Sequence, residues 1–222
     1  MVTQSRSFSD LINPIKNKLT SSELDRIKNA YEFSQEVHQG QTRYSGEPYF
    51  NHLYNTSSNL ILWGLDSESI IAGLLHDAVE DSNIPSTEIE QRFGKSVSGI
   101  VDGVTKVGKI RLRNSQQENF LENLRKMMIA STQDIRVIVV KLADRLDNIR
   151  TLQYVPETKQ KRIAKETLEV YAPIAERLGM GIVKRELEDI SFSYADPEKF
   201  RWVKNISSQY FQVLLVCYKD MC

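Results

Sequence analysis

The stretch Ile70-Ile71-Ala72-Gly73-Leu74-Leu75-His76-Asp77-Ala78-Val79-Glu80-Asp81 constrains this chain more than any other. It begins as an apolar run of the kind that goes inside a protein. It then sets four ionisable groups, His76, Asp77, Glu80 and Asp81, within six residues. On a continuous helix over roughly 67–81, residues four apart share a face, so His76 stands above Glu80 and Asp77 above Asp81. Charges carried inward by an apolar helix need a compensating partner. A metal ion is the most economical partner for a neighbouring imidazole and carboxylate.

The rest of the chain follows the helical period. Residues 1–19 leave room for one short helix, and Thr20-Ser21-Ser22-Glu23 has the spacing of a capping box that opens a helix to about His38. Gly40 to Pro48 reads as a loop. A helix from about Tyr49 to Trp63 carries His52 in its first turn, Gly64 stops it, and Asp66 caps the helix that follows. Ser86 starts a short helix ending near Gly94, and another covers Val97 to Val107. Lys106 to Gln117 is a basic, Gly-containing loop, suited to close over phosphates as a lid or simply to be solvated; helix resumes near Glu118.

From Asp134 to about Tyr154, Ile135, Ile138, Val139, Leu142, Leu146 and Ile149 recur at helical intervals, which outweighs the strand-like run Val137 to Val140. Further helices are expected from Pro156 to about Ala172, from Met180 to Tyr194, and from the start signal Asp196-Pro197. No alternating-period strand, internal repeat or low-complexity linker is present. The expected fold is all-α, with one domain over 1–195 and a C-terminal helical extension over 196–222 that can belong to the same domain.

Composition narrows the function classes. The 29 basic and 29 acidic residues cancel, so no global field draws the chain to nucleic acid or to an anionic membrane. An anionic substrate must be met by local basic groups. No apolar run approaches bilayer length, and Met1 to Ser7 lack a signal-peptide core. The two cysteines, Cys217 and Cys222, form neither a disulfide framework nor a zinc spacing, so a reducing cytoplasm is the simplest setting.

A second polar stripe lies on the 134–154 helix. Lys141, Asp144, Asn148 and Thr151 follow at spacings of three, four and three and share one face. Asp144 is the natural fourth ligand beside His52, His76 and Asp77. Two nitrogens and two oxygens suit manganese, iron or zinc. Taken singly, His52 is equally a helix-start histidine and Asp144 a partner of Lys141; the adjacent His76-Asp77 on an apolar helix resists such a reading.

Longer motifs sharpen this. His38-Gln39-Gly40-Gln41-Thr42-Arg43-Tyr44-Ser45-Gly46-Glu47-Pro48-Tyr49 resembles HxGQxRxSGEPY, and Leu75 to Asp81 resembles LHDxxED. Val101 to Lys106 is similar to DGVTK, Glu122 to Met127 to ENxRKM, Lys141 to Leu152 to KLADRLxNxRTL, and Tyr171 to Gly179 to YAPxAxRLG. In this order they resemble the hydrolase domain of the RelA/SpoT homologues, within the HD superfamily of metal-dependent phosphohydrolases, from about residue 30 to 200.

The resemblance implies an HD-domain helical fold with a metal site between helices, and a manganese-dependent (another divalent transition metal being an option) 3′-pyrophosphohydrolase that converts ppGpp or pppGpp to GDP or GTP plus pyrophosphate. It implies His52, His76, Asp77 and Asp144 as metal ligands and Glu80 and Asp81 as the carboxylates that handle water and protons. Arg43, Tyr44 and Ser45 then lie on the guanine side, and Lys141, Asn148 and Thr151 line the pocket. Arg43 could stack on a purine or pair with Glu47. The implied partner is a small nucleotide, with no nucleic acid or membrane and with a homo-oligomer left open.

Four positions depart from the family pattern. Tyr44 stands where many relatives are basic, Asp147 where they often carry His or Tyr, Leu53 where proline usually follows the ligand histidine, and Glu176 where the residue is usually uncharged. Tyr44 keeps open an HD phosphohydrolase acting on NADPH, a diadenosine polyphosphate or another nucleotide. A non-catalytic nucleotide-sensing module is the reading of a different class. With Cys222 the last residue, a stand-alone small alarmone hydrolase is expected rather than a fragment of a long synthetase-bearing relative.

Overall fold

The computed structural model describes residues 6–82, 84–109 and 134–220, with the backbone alone at Asp81, Lys109 and 209–220. Among the described residues there are helices, turns and one isolated antiparallel bridge, Thr42 to Pro48, and no strand. They fall into two compact units, Met1–Val155 and Pro156–Cys222.

The first unit contains α1 (Phe8–Ile12), α2 (Ser21–Val37), α3 (Phe50–Leu62), α4 (Ser67–Leu75), α5 (Ala78–Asp81), α6 (Ser86–Phe93), α7 (Lys95–Lys109) and α8 (Arg136–Arg150). The start signals act as read. Glu23 N–H donates to Thr20 Oγ1 at 3.3 Å while Thr20 N–H donates to the Glu23 carboxylate at 2.9 Å. Ser69 N–H donates to Asp66 Oδ1 at 2.8 Å.

Helix α4 is the centre of this unit and packs against α2, α3, α7 and α8. Being enclosed, it buries Ser69 to Leu75 on every side, as an all-round apolar helix must. Burial of Ile70, Ile71, Leu74 and Leu75, all fully buried, stabilises the fold by about 1.5–3 kcal/mol per side chain. Small residues let the neighbours come close. A Cβ on Gly73 would lie 2.6 Å from Leu60 Cδ1 and 2.9 Å from Ser57 Oγ of α3. Ser34 of α2 and Ser57 of α3 donate their hydroxyls to the Leu74 and Ile70 carbonyls at 2.8 and 3.2 Å. Gly103 does the same for α7 and α8, since a Cβ there would meet Val137 Cγ2 at 2.6 Å.

The helix expected over 67–81 is interrupted. It ends at Leu75, His76 and Asp77 form a turn, and a short helix resumes at Ala78. The cause is local. The Gly73 carbonyl, which a continuous helix reserves for the Asp77 amide, is hydrogen bonded to His76 Nδ1 at 2.9 Å. His76 and Asp77 thus stand at a turn between two helices rather than inside one continuous helix. Helix α7 runs to Lys109, past the expected loop start at Lys106. The rest of that basic loop, the helix expected from Glu118 and the motif at Glu122 to Met127 lie outside the described residues.

The second unit contains α9 (Glu157–Glu166), a π-type turn (Thr167–Tyr171), α10 (Ala172–Arg177), α11 (Gly181–Ala195) and α12 (Pro197–Asp220). Helix α11 packs against α9, α10 and α12. The helix expected to stop before Pro173 continues instead. The wider π turn precedes Pro173, which then falls at the start of a new segment, where its missing N–H needs no acceptor. Among the described residues no helix is long and apolar enough to cross a membrane.

Candidate metal centre

Two histidines are fixed through Nδ1 and offer Nε2 to one point. His76 Nδ1 lies 2.9 Å from the Gly73 carbonyl. A carbonyl only accepts, so Nδ1 carries the proton and the neutral ring keeps its lone pair on Nε2. His52, in the first turn of α3, donates Nδ1–H to Asp147 Oδ2 at 2.7 Å. The His52 Nε2 atom is 3.3 Å from Asp144 Oδ1 and 3.6 Å from Asp77 Oδ2. His76 Nε2 is 3.2 Å from Asp77 Oδ2 and 4.0 Å from Asp144 Oδ1, and it is buried without a well-formed hydrogen bond.

Neutral imidazole nitrogens and carboxylate oxygens are all acceptors. Four of them turned on one another need a cation among them, either a proton or a metal ion. His52, His76 and Asp144 have ligand atoms within 4.8 Å of one another, and all three are buried. Asp77 is held beside them by Tyr49, whose hydroxyl donates to Asp77 Oδ2 at 2.7 Å while its ring stacks on His38. The donor set of two nitrogens and two oxygens fits a divalent transition metal.

The electrostatics say the same. Burial works to lower His52, but hydrogen bonds to Asp144 and Asp147 and the charge of Asp77 outweigh it and raise it to about 9. His76 is raised likewise, against burial, chiefly by Asp77. Burial works to raise Asp77 and Asp144, yet both lie below the usual carboxylate range. The histidines lower Asp77, and Lys141 and the histidines lower Asp144.

Around this point the predicted residues are placed unequally. Lys141 Nζ donates to Asp144 Oδ2 at 2.7 Å, and Asn148 Nδ2 to Asp144 Oδ1 at 2.5 Å. Arg43 pairs with Asp147 Oδ2 at 2.7 Å and donates to Asn148 Oδ1. Its side-chain partners are thus on α8, not Glu47 of its own loop, whose carbonyl takes only the Arg43 N–H.

Glu80 is exposed, and a Cβ on Gly108 of α7 would lie 3.6 Å from its Oε2 and 3.5 Å from Lys141 Nζ. Glu80 and Lys141 therefore flank the same spot of α7. Tyr44 is 64% exposed. Ser45 Oγ accepts the Glu47 N–H at 3.4 Å, within the turn made by Gly46 at φ 80°. The Thr151 hydroxyl donates back to its own helix, to the Asp147 and Asn148 carbonyls. The Asp81 side chain lies outside the described residues.

Sequence reasoning missed three supporting residues. Tyr49 closes the HxGQxRxSGEPY-like motif, and Asp147 stands out in the sequence only as a departure from the family pattern. Asn55, which donates to Asp147 Oδ1 at 2.8 Å, carries no local signal beyond lying one turn after His52.

Fold and site together define an all-helical protein with a buried histidine–aspartate centre suited to a divalent metal. Residues 30–181 match the HD domain family, more than half of the chain, and the chain belongs to that family. Among curated relatives it is 49% identical, over 82% of its length, to a guanosine-3′,5′-bis(diphosphate) 3′-pyrophosphohydrolase of Aquifex aeolicus, of which it covers 25%. It is 43% identical, over 90% of its length, to the bifunctional (p)ppGpp synthase/hydrolase SpoT of Escherichia coli, of which it covers 28%. The chain thus spans about a quarter of the length of these relatives. A solved structure described as a metazoan ortholog of SpoT that hydrolyzes ppGpp aligns with a TM-score of 0.58 at 26% identity, covering 77% of this chain and 96% of that one.

Proposed function

We propose that this chain is a metal-dependent (p)ppGpp 3′-pyrophosphohydrolase, converting ppGpp or pppGpp to GDP or GTP plus pyrophosphate. The observation that carries the reading is the convergence of His52 Nε2, His76 Nε2, Asp77 Oδ2 and Asp144 Oδ1, acceptors that together suit one divalent cation. The names of the curated relatives and of the solved neighbour support the substrate.

His52, His76, Asp77 and Asp144 would hold a divalent ion, with manganese the proposed choice, and when bound it would supply Lewis-acid charge for the phosphoryl oxygens and a lowered pKa for water. The oxygen of water adds to the phosphorus on the ribose 3′-oxygen, and the bond from that phosphorus to the 3′-oxygen breaks. Glu80, with Asp81, takes the proton from water, and one carboxyl of the pair returns a proton to the departing 3′-oxygen. Lys141, beside Asp144 and Glu80, meets the negative charge of the diphosphate. Arg43, Tyr44 and Ser45 are assigned to the nucleoside side, with Asn148 and Thr151 lining the pocket.

The hydrolase domain is taken as 1–195 with 196–222 as a helical extension, because the family match runs on to residue 181. The balanced charge and the two terminal cysteines support a cytoplasmic enzyme with a small-molecule partner and no affinity for nucleic acid or membrane, working alone or as a homo-oligomer. A second reading rests on Tyr44: exposed and uncharged, it can stack on a base but cannot neutralise a phosphate, which keeps NADPH, a diadenosine polyphosphate or another nucleotide open as substrate. A nucleotide sensor without catalysis would have no use for the converged ligands.

Pyrophosphate release from ppGpp by purified protein with manganese separates these readings. Rapid release that Asp77→Ala and Glu80→Ala both abolish is the expected result. Bound manganese without release would move the substrate to NADPH and dinucleoside polyphosphates; nucleotide binding unaffected by metal removal would favour the sensor.

A further inference from the structure

We propose that Asp147 is a positioning residue of this site: its carboxylate locks the ring of His52 so that Nε2 faces the metal position, and the same oxygen fixes Arg43. The inference rests on the metal-centre reading above and is independent of which nucleotide is cleaved. Asp147 is 2% exposed and lies on α8 one turn beyond Asp144. Its Oδ2 accepts from His52 Nδ1 and from Arg43 Nη1, both at 2.7 Å, and its Oδ1 accepts from Asn55 Nδ2 at 2.8 Å. The donors come from α3 and from the loop before it, so the carboxylate cannot turn without breaking hydrogen bonds to three residues.

This anchoring has a definite consequence for His52. With Nδ1–H committed, the neutral ring has one lone pair left, on Nε2, and that atom sits 3.3 Å from Asp144 Oδ1. Freed of Asp147, the ring could turn or take the other tautomer and aim an N–H at the ion. An outer carboxylate of this kind is worth tenfold to a hundredfold in metal affinity where it has been removed from other sites. Because one carboxylate holds both the imidazole and the guanidinium, a change here reaches the metal and the nucleotide side together.

The test uses the whole chain as wild type, Asp147→Ala, Asp147→Asn and Asn55→Ala. Manganese affinity is read by calorimetry. The His52 Nδ1–H proton is read by NMR in histidine-labelled, zinc-loaded protein. Asp147→Ala should weaken manganese by about tenfold to a hundredfold and abolish the Nδ1–H signal. Asp147→Asn, which keeps an oxygen acceptor but loses the charge, should fall between, and Asn55→Ala should cost severalfold.

Wild-type affinity and an unchanged Nδ1–H signal in folded Asp147→Ala overturn the proposal. If that variant does not fold, the same result in Asp147→Asn overturns it. A purely structural role would lower the melting temperature but leave both readouts at wild-type values in the folded fraction, which also overturns it. Wild-type protein that binds no divalent ion would sink the metal centre and this inference together. Wild-type protein that binds manganese but spares ppGpp would sink only the alarmone reading, and the affinities would still decide the role of Asp147.

Discussion

Two charged clusters eight positions apart on α8, one around Arg136 and one around Asp144, have solved opposite problems. Both grip α4, the first at its N-terminal end and the second at its C-terminal end. Arg136 donates to Asp66 at 2.8 Å, Glu68 at 2.9 Å, Asp134 at 2.6 Å and Ser96 at 3.0 Å. Its guanidinium is consumed by acceptors, and its carboxylates are partly open to water. Around Asp144 the acceptors are buried and turned on each other. The first cluster is complete as it stands and ties α4, α7 and α8 together. The second gathers buried acceptors that suit a divalent cation, and the proposed function rests on that contrast.

The largest effect expected from breaking this contrast is at His76. His76→Ala should remove manganese binding and pyrophosphate release to background, while Arg136→Ala leaves activity per folded molecule intact; parallel assays at equal folded fraction decide it. Gly73→Ala comes next. Its methyl would press on Leu60 and Ser57, costing about 1–3 kcal/mol in denaturant unfolding. It should also slow hydrolysis, because Gly73 sets the approach of the helices that carry His52 and His76.

Arg136→Ala should cost about 1–2 kcal/mol in the same measurement, more than a lone surface pair because one guanidinium serves several partners. The smallest effect is one of pH. Hydrogen bonds to Arg136 and Ser96 hold Asp134 and Glu68 below their ordinary values of 3.8 and 4.5; Asp66, although burial raises it, is also lowered, by Ser69 and Arg136. Groups lowered by folding stabilise above their unfolded values, and that stability is lost as pH falls through the folded ones. The melting temperatures of wild type and Arg136→Ala should therefore converge as pH drops from about 5 towards 3; a gap that stays constant would mean the clamp is not ionic.

Much of this contrast was legible in the sequence, and the unreadable part has physical reasons. The Thr20 and Asp66 caps and the apolar run of α4 are local signals, and each acts where the sequence places it. The break after Leu75 was not legible, because it depends on a histidine ring hydrogen bonding to a carbonyl that helical periodicity assigns elsewhere. The Arg43–Asp147 pair spans 104 residues, a distance over which no pattern speaks; the sequence offers Arg43 only a purine to stack on or its neighbour Glu47. Asp147 was visible only as an unusual residue. Its use emerges from the fold, which carries His52 to it.

The most direct test of the central claim is anomalous diffraction at the manganese edge from crystals grown with manganese. The account predicts one strong peak within coordination distance of His52 Nε2, His76 Nε2, Asp77 and Asp144. A peak elsewhere, or none at this point with manganese in excess, would contradict it.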